Sequence, residues 1–292
     1  MKFYRPKTIE QAIELLADSD LDARVMAGGT DLIVQMKSLG KKPGAIISLK
    51  DIPELNTVTE ENGAFSIGAA VCGAEIFENK RLRNSWPGVV EAIDLIGSMQ
   101  VQGRATPAGN LCNASPAADS VPAMIAAGAM ASVAGPEGRR EVPVADIPTG
   151  PGSNSLRSDE LIVCVNLSAR APRSGDAYLR LIPRSEMDIA VAGAGVNLTL
   201  NEDGVCTAAR VAIGAVAPTA LLVEEAGHAL VDTKLEEPAL QAAAVAASAA
   251  CSPINDRRGT VEYRIETAGV LVKRATRLAA KRAIAMNPSR EN

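Results

Sequence analysis

Two glycine-punctuated segments, Ala27-Gly28-Gly29-Thr30-Asp31-Leu32 and Thr106-Pro107-Ala108-Gly109-Asn110, constrain this chain more than any other feature. Adjacent small residues let backbone press against a ligand or another backbone where a Cβ would block it. The first segment follows a strand-like run, Arg24 to Ala27, and precedes a helical one carrying Leu32, Ile33 and Met36, which Thr30 or Asp31 can cap. A strand–glycine–helix unit presents free N–H groups and the positive end of a helix to phosphate. Its spacing is neither G-x-G-x-x-G nor a Gly-Lys-Ser/Thr loop. The second segment runs on as Leu111-Cys112-Asn113-Ala114-Ser115-Pro116-Ala117-Ala118-Asp119 and reads as a loop. Thr106, Asn110, Asn113 and Ser115 offer polar groups among small residues, and Asp119 offers a carboxylate for ribose hydroxyls. Each segment alone has a plainer reading, as a structural turn and as a polar loop capping a helix. A bulky, phosphate-bearing ligand gripped from two sides explains both together.

Composition narrows the function classes. The chain has 292 residues, room for two ordinary domains, and a net charge of −4. Aromatics make up only 2%, so the core must be aliphatic and alanine-rich, and stacking platforms for nucleic acid are missing. No basic tract offers a phosphate-backbone footprint. The N-terminal Met1-Lys2-Phe3-Tyr4-Arg5-Pro6 has no apolar signal region and no window reads as a membrane helix, so a cytoplasmic location is expected. The five cysteines, Cys72, Cys112, Cys164, Cys206 and Cys251, contain no Cys-x-x-Cys pair, which argues against zinc or an iron–sulfur cluster and for reduced thiols. His228 is the only histidine and lies in a charged, helix-like stretch, where it reads as solvated. Redox chemistry would have to come from a bound organic cofactor or from another subunit.

Along the chain, Thr8-x-x-Gln11 forms a capping box for an amphipathic helix to Leu16. Ala45–Leu49, Phe65–Ala69 and Glu160–Leu167 read as strands, and Ala131–Val144 as a hairpin around Gly135-Pro136-Glu137-Gly138. Ala74–Asn79 and Val89–Ile96 give weaker helical patterns, and a further helix from Asp119 has Pro122 in its first turn. Ala169 to Asp176 is the expected linker. Beyond it, Ile189–Asn201 and Val205–Val216 form a hairpin, followed by helices over Thr219–Val231, Leu235–Ala250 and Thr260–Arg282. The C-terminal third is thus α+β, a sheet covered by helices.

The two segments, in this order, resemble those of the FAD-binding medium subunits of molybdenum hydroxylases, the group of xanthine dehydrogenase and aerobic carbon monoxide dehydrogenase. Further matching motifs are Phe3-Tyr4-Arg5-Pro6, Gln100 with Arg104, Asp188-Ile189-Ala190, Asp256-Arg257-Arg258-Gly259 and Glu262-Tyr263-Arg264. The resemblance covers nearly the whole chain. It implies an α+β fold: a vanillyl-alcohol-oxidase-type FAD-binding domain over residues 1–172, with subdomains of about 1–52 and 53–172. A C-terminal domain over residues 173–292 would carry a small antiparallel sheet covered by helices. It also implies that FAD contacts Ala27, Gly28, Gly29, Thr30 and Asp31 at the pyrophosphate. Thr106, Ala108, Gly109 and Asn110 would form the second wall, with Asn113 as a polar contact and Asp119 at the ribose. No catalytic residue and no metal site are expected here. The implied partners are a molybdenum-cofactor large subunit and a [2Fe–2S] small subunit, with electrons passing through FAD to NAD, oxygen or a quinone.

The chain departs from the pattern at Pro107-Ala108, where relatives carry Thr-Ile/Val-Gly-Gly around the same site. For the relatives' basic residue before Asp-Ile-Ala, Arg184 is the candidate, with Ser185 beside it. Two other readings remain: a self-sufficient flavin oxidoreductase on the same fold, and a scaffold subunit without flavin. Arginines 257, 258, 264, 274 and 277 are either a partner surface or a solvated helix face.

Overall fold

A computed structural model describes residues 1–38 and 42–285. Its first unit is a parallel sheet of β1 (Lys2–Tyr4), β2 (Ala23–Met26) and β3 (Ala45–Ser48), in the order β1-β3-β2. The central strand β3 is buried along its whole length, as expected of Ala45-Ile46-Ile47-Ser48 between two neighbours. Helix α1 (Ile9–Ala17) crosses between β1 and β2, and α2 (Leu32–Ser38) lies between β2 and β3. Thr8 caps α1 by accepting from Gln11 N at 3.2 Å, a contact worth about 1 kcal/mol. The reciprocal arm shifts by one residue, because the Gln11 side chain accepts from Lys7 N rather than Thr8 N. None of α2's side chains is buried, and Ile33 and Val34 are exposed.

The second unit is antiparallel, in the order β4-β5-β10-β6-β7. It opens with β4 (Val58–Glu61) and β5 (Ala64–Gly68). Six short helices follow: α3 (Gly73–Glu78), α4 (Lys80–Ser85), α5 (Pro87–Asp94), α6 (Met99–Gln102), α7 (Pro107–Asn113) and α8 (Ser120–Ala126). The hairpin β6 (Met130–Gly135) and β7 (Gly138–Pro143) turns at Pro136-Glu137, and the small ribbon β8 (Pro148–Gly150) and β9 (Ser153–Asn154) leads into β10 (Leu161–Leu167). Trp86, Val89, Val90, Ile93, Leu111, Met124 and Ile125 fill the space between helices and sheet.

The third unit is the sheet β11 (Ser174–Leu181), β12 (Ala192–Leu200), β13 (Cys206–Gly214) and β14 (Leu221–Leu222), antiparallel throughout. Helices α9 (Glu224–His228), α10 (Glu237–Ala250) and α11 (Val261–Ala285) cover it. Leu240, Ala243, Ala244 and Ala247 make the buried stripe of α10, and Ala268, Val272, Ala275 and Ala279 that of α11. Alanine where larger residues are usual brings helix and sheet backbones close. No described helix is long and apolar enough to cross a membrane.

Two expectations about this region are corrected. The linker stops before Ser174: Ser174, Gly175 and Asp176 are buried in β11, a strand whose alternating polar residues hide it from an apolar-periodicity reading. The helix expected over Thr219–Val231 is split, because Leu221-Leu222 pairs with β13 and only Glu224–His228 is helical. Both cases are tertiary override, with sheet pairing available to short segments that local periodicity assigns otherwise.

β11 is also the seam of the molecule. Ala177, Leu179 and Leu181 face the third unit's core, while Asp176 and Tyr178 reach groups on the other side. The Asp176 carboxylate accepts from Val89 N at 3.0 Å and Arg170 Nη1 at 2.7 Å. The Arg170 guanidinium in turn stacks 4.4 Å from the centre of the Trp86 ring. Burial pushes Asp176 up from its ordinary pKa, and the Arg170 charge opposes that shift.

Candidate functional site

β2 ends at Met26, and the chain turns through Ala27-Gly28-Gly29 into α2. Gly29 takes a φ of +81°, open to glycine at little cost. Gly28 is required for a different reason: a Cβ there would lie 2.1 Å from the carbonyl oxygen of Arg104. The approach to the second segment therefore packs backbone against backbone on the first turn. The two glycine-punctuated segments, remote in sequence, are thus brought together through Arg104 and Ala105, just before the second. From Gly28 to Leu32, five successive N–H groups donate to no acceptor among the described residues, whereas Ile33 N and Gln35 N bind Gly29 O and Asp31 O. Such a run of unpaired N–H groups at a helix start attracts an anion.

The second segment is not a loop. Thr106 caps α7, its Oγ1 accepting from Gly109 N at 2.9 Å, and Pro107 occupies the first helical position. The fixed φ of proline suits that position and its missing N–H removes no helix bond, which gives Pro107 a structural reason. Ala108 is buried against the helical core. Asn110 Oδ1 accepts from Ser120 Oγ at 2.8 Å, and Asn113 Oδ1 from Gln35 Nε2 at 2.8 Å. The latter bond ties α7 to α2 across the site.

Between these walls lies a cavity of about 540 Å³, within the usual size of a cofactor pocket. Ala27, Gly28, Gly29, Thr30, Asp31, Thr106, Ala108, Gly109, Asn110 and Asn113 all line it. Sequence reading missed its far wall, made by Arg24 of β2, Asn154 of β9, the stretch Leu156–Ser158, and Glu160 with Ile162. Glu160 is fixed by Arg140 at 2.8 Å and by Arg157 N at 2.8 Å, and the Arg140 bond holds its carboxyl down at about 2. Asp31 stands at the rim with its carboxyl raised by lost hydration. Cys112, also in the lining, has its thiol pushed up to about 12 by burial, so it is no nucleophile. No cluster among the described residues can hold a metal ion.

Asp119 stands apart. It does not line the cavity, and both carboxylate oxygens are engaged, Oδ1 by Tyr178 Oη at 2.9 Å and Oδ2 by Arg180 Nη1 at 2.5 Å. Burial raises its pKa while the Arg180 charge opposes the rise. Gly193 on β12 makes the arrangement possible, since a Cβ there would come within 2.4 Å of the Tyr178 hydroxyl. The basic partner of Asp119 is Arg180, and Arg184 lies exposed on the next loop, lining a separate cleft. The alternation Asp176-x-Tyr178-x-Arg180 was the sequence signal, one polar face of a strand. Arg264, expected on a partner surface or a solvated helix face, is instead buried and donates to Val191 O at 2.7 Å and to Asp256 at 2.7 Å. His228 is exposed on α9.

Comparison with known proteins places the chain in a family. Residues 1–168 match the FAD binding domain in molybdopterin dehydrogenase, and residues 177–279 match the CO dehydrogenase flavoprotein C-terminal domain. The chain belongs to this flavoprotein family. It is 36% identical over 281 residues to the carbon monoxide dehydrogenase medium chain of Afipia carboxidovorans, covering 96% of this chain and 97% of that one. It is 28% identical to the putative xanthine dehydrogenase FAD-binding subunit of Escherichia coli, covering 93% of each. Carbon monoxide dehydrogenase from Hydrogenophaga pseudoflava superimposes with a TM-score of 0.92 at 34% identity, over 97% of this chain and 98% of that one. Quinoline 2-oxidoreductase from Pseudomonas putida 86 superimposes at 0.89 with 26% identity. The cofactor of this flavoprotein subunit is FAD, and its class is oxidoreductase. The unpaired N–H run and the small-residue walls fit the pyrophosphate of such a dinucleotide.

Proposed function

We propose that this chain is the electron-transferring flavoprotein of a molybdenum hydroxylase complex. Its FAD would receive electrons from [2Fe–2S] clusters on a small partner subunit and pass them to an external acceptor such as NAD, oxygen or a quinone. The organic substrate would be hydroxylated on a large subunit that carries the molybdenum cofactor. The observation that carries the reading is the cavity wall: a run of backbone N–H groups, small residues and amides, with Glu160 tied to arginines, Cys112 neutralised by burial and no histidine in the lining. That is equipment for holding a dinucleotide rather than for acid–base work on a substrate.

In this reading the N–H groups of Gly28 through Leu32 hold the pyrophosphate, and Gly28 keeps the two walls in register. Thr106, Ala108, Gly109 and Asn110 form the opposing wall, and Asn113, held by Gln35, closes one side. When bound, FAD supplies two-electron acceptance and one-electron transfer. Asp119 orients Arg180 and Tyr178 at the seam instead of taking a ribose hydroxyl, and Asp31 at the rim is the free carboxylate for that hydroxyl.

The test is to isolate the native assembly through an affinity tag on this chain, assay iron and molybdenum, and record flavin absorbance near 450 nm. We expect both metals to co-purify, and flavin in the assembly to bleach on addition of the complex's organic substrate. Flavin on the isolated chain should not respond. An isolated chain that turns over an organic substrate, or an assembly free of iron and molybdenum, would overturn the reading.

A further inference from the structure

A second cleft, of about 430 Å³, is lined by Pro183, Arg184 and Asp188 from the β11–β12 loop and by Arg257 and Arg258 from the segment leading into α11. Three arginines and one carboxylate thus line it, and two of the arginines, Arg184 and Arg258, contact that carboxylate. Asp188 takes only the Nε of two of them, Arg184 at 3.3 Å and Arg258 at 3.2 Å. A bond from Ile189 N at 2.8 Å, together with the Arg258 contact, keeps Asp188 below its ordinary pKa. The nearby carboxylate of Asp256 is committed elsewhere, to Arg264 Nη2 at 2.7 Å and Arg258 N at 2.8 Å, and stands 3.9 Å from Arg258 Nη1. Arg257 forms no ion pair among the described residues. Glu186, exposed on the same loop, is not part of the lining.

The chemistry of this arrangement is specific. Binding a guanidinium through Nε orients its plane; in Arg184 the Nη2 also donates to Met187 O at 2.7 Å, which leaves Nη1 for a second partner, whereas the terminal groups of Arg258 make no hydrogen bond among the described residues. Asp188 therefore works as a brace that fixes two forks without neutralising the third positive charge. Planar donor forks with surplus positive charge match a polyanion whose oxygens accept several N–H bonds at once, and phosphate does this better than a single carboxylate.

We propose that this cleft binds the phosphate group of an organic phosphate, with Arg257 as the principal ligand and Arg184 and Arg258 braced by Asp188 as the flanking ones. The site lies outside the residues that hold the flavin and does not depend on the electron-transfer reading.

The flavin-loaded chain, with the cofactor cavity already filled, is titrated calorimetrically with inorganic pyrophosphate and separately with ADP. Wild type, Arg257→Ala, Arg257→Lys and Arg184→Ala/Arg258→Ala are compared, with thermal melting as the check on folding. We expect saturable binding that weakens with added salt and weakens roughly tenfold or more in Arg257→Ala, the loss of one charge-assisted bond pair. Arg257→Lys, which keeps charge but not the fork, should fall between. Tighter binding of ADP than of pyrophosphate identifies a nucleotide as the ligand class, and equal affinities identify free phosphate compounds. Binding that is unchanged in Arg257→Ala, or displaced by extra FAD, overturns the proposal. So does the absence of saturable uptake of either probe by folded wild type.

Discussion

Replacing Gly28 with alanine tests the central claim that two remote backbone segments meet to form the cofactor site. A Cβ at Gly28 would lie 2.1 Å from Arg104 O, 2.7 Å from Arg104 C and 3.1 Å from the Ala105 Cα. These are backbone atoms, so no side-chain rotamer change relieves the clash. The first turn and the α7 approach must separate by ~1 Å to restore ordinary contact. Overpacking of this kind costs about 1–3 kcal/mol, which for a chain of this size lowers Tm by several degrees, at roughly 2–4 °C per kcal/mol. The effect on flavin should be larger than the effect on folding. Displacing the N–H run by that distance removes at least one charge-assisted bond to the pyrophosphate, about 1.5–3 kcal/mol, or roughly 10–100-fold in Kd. The assay is the flavin-to-protein absorbance ratio after dialysis, with Tm measured in parallel. Gly150→Ala is the control, since a Cβ there meets nothing within 4 Å and its backbone has no positive φ. If Gly28→Ala kept a wild-type flavin ratio and Tm, the inferred backbone contact would be wrong.

Two further outcomes follow from buried charge. Asp119→Ala leaves Arg180 buried without its carboxylate and should destabilise the fold by about 3–5 kcal/mol. Its signature in a double-mutant cycle is that Arg180→Met added to Asp119→Ala restores part of the loss. Additive effects would show that the pair is not coupled. Glu160, whose pKa falls from 4.5 unfolded to about 2 in the fold, stabilises fully above the unfolded value and loses that contribution as pH drops toward about 2. The stability difference between wild type and Glu160→Gln should therefore be largest near pH 7 and shrink through the acid range; a gap independent of pH in urea titrations would refute this.

Much of the architecture was legible because it is written in local patterns. The capping box before α1, the alternation of β5, the Asn201-Glu202-Asp203-Gly204 turn between β12 and β13, and the alanine stripe of α10 each carry their own periodicity or turn chemistry. The glycine-punctuated segments stood out through small residues beside polar ones, and residues of both line the cavity. What local pattern misassigned was whatever another part of the chain decided. β11 escaped notice because a strand at a seam alternates polar residues with small apolar ones, and those polar residues find buried partners only after folding. Leu221-Leu222 became strand because β13 offered an edge. The second segment became helix because Thr106 caps it and Pro107 fits its first turn, features that a reading centred on ligand contacts passed over.

By itself, the sequence determined where small and capping residues leave the backbone open to close approach, at 27–32 and 106–110. Glycine, alanine and capping residues act through the missing Cβ and the local backbone, and these properties travel with the residue. Only tertiary structure decided how charged residues divide their roles. Asp31 and Asp119 follow similar small-residue stretches, yet one remains at the cavity rim and the other is enclosed by Tyr178 and Arg180. A carboxylate's function depends on which donors surround it and how much water remains, and both are properties of the assembled fold.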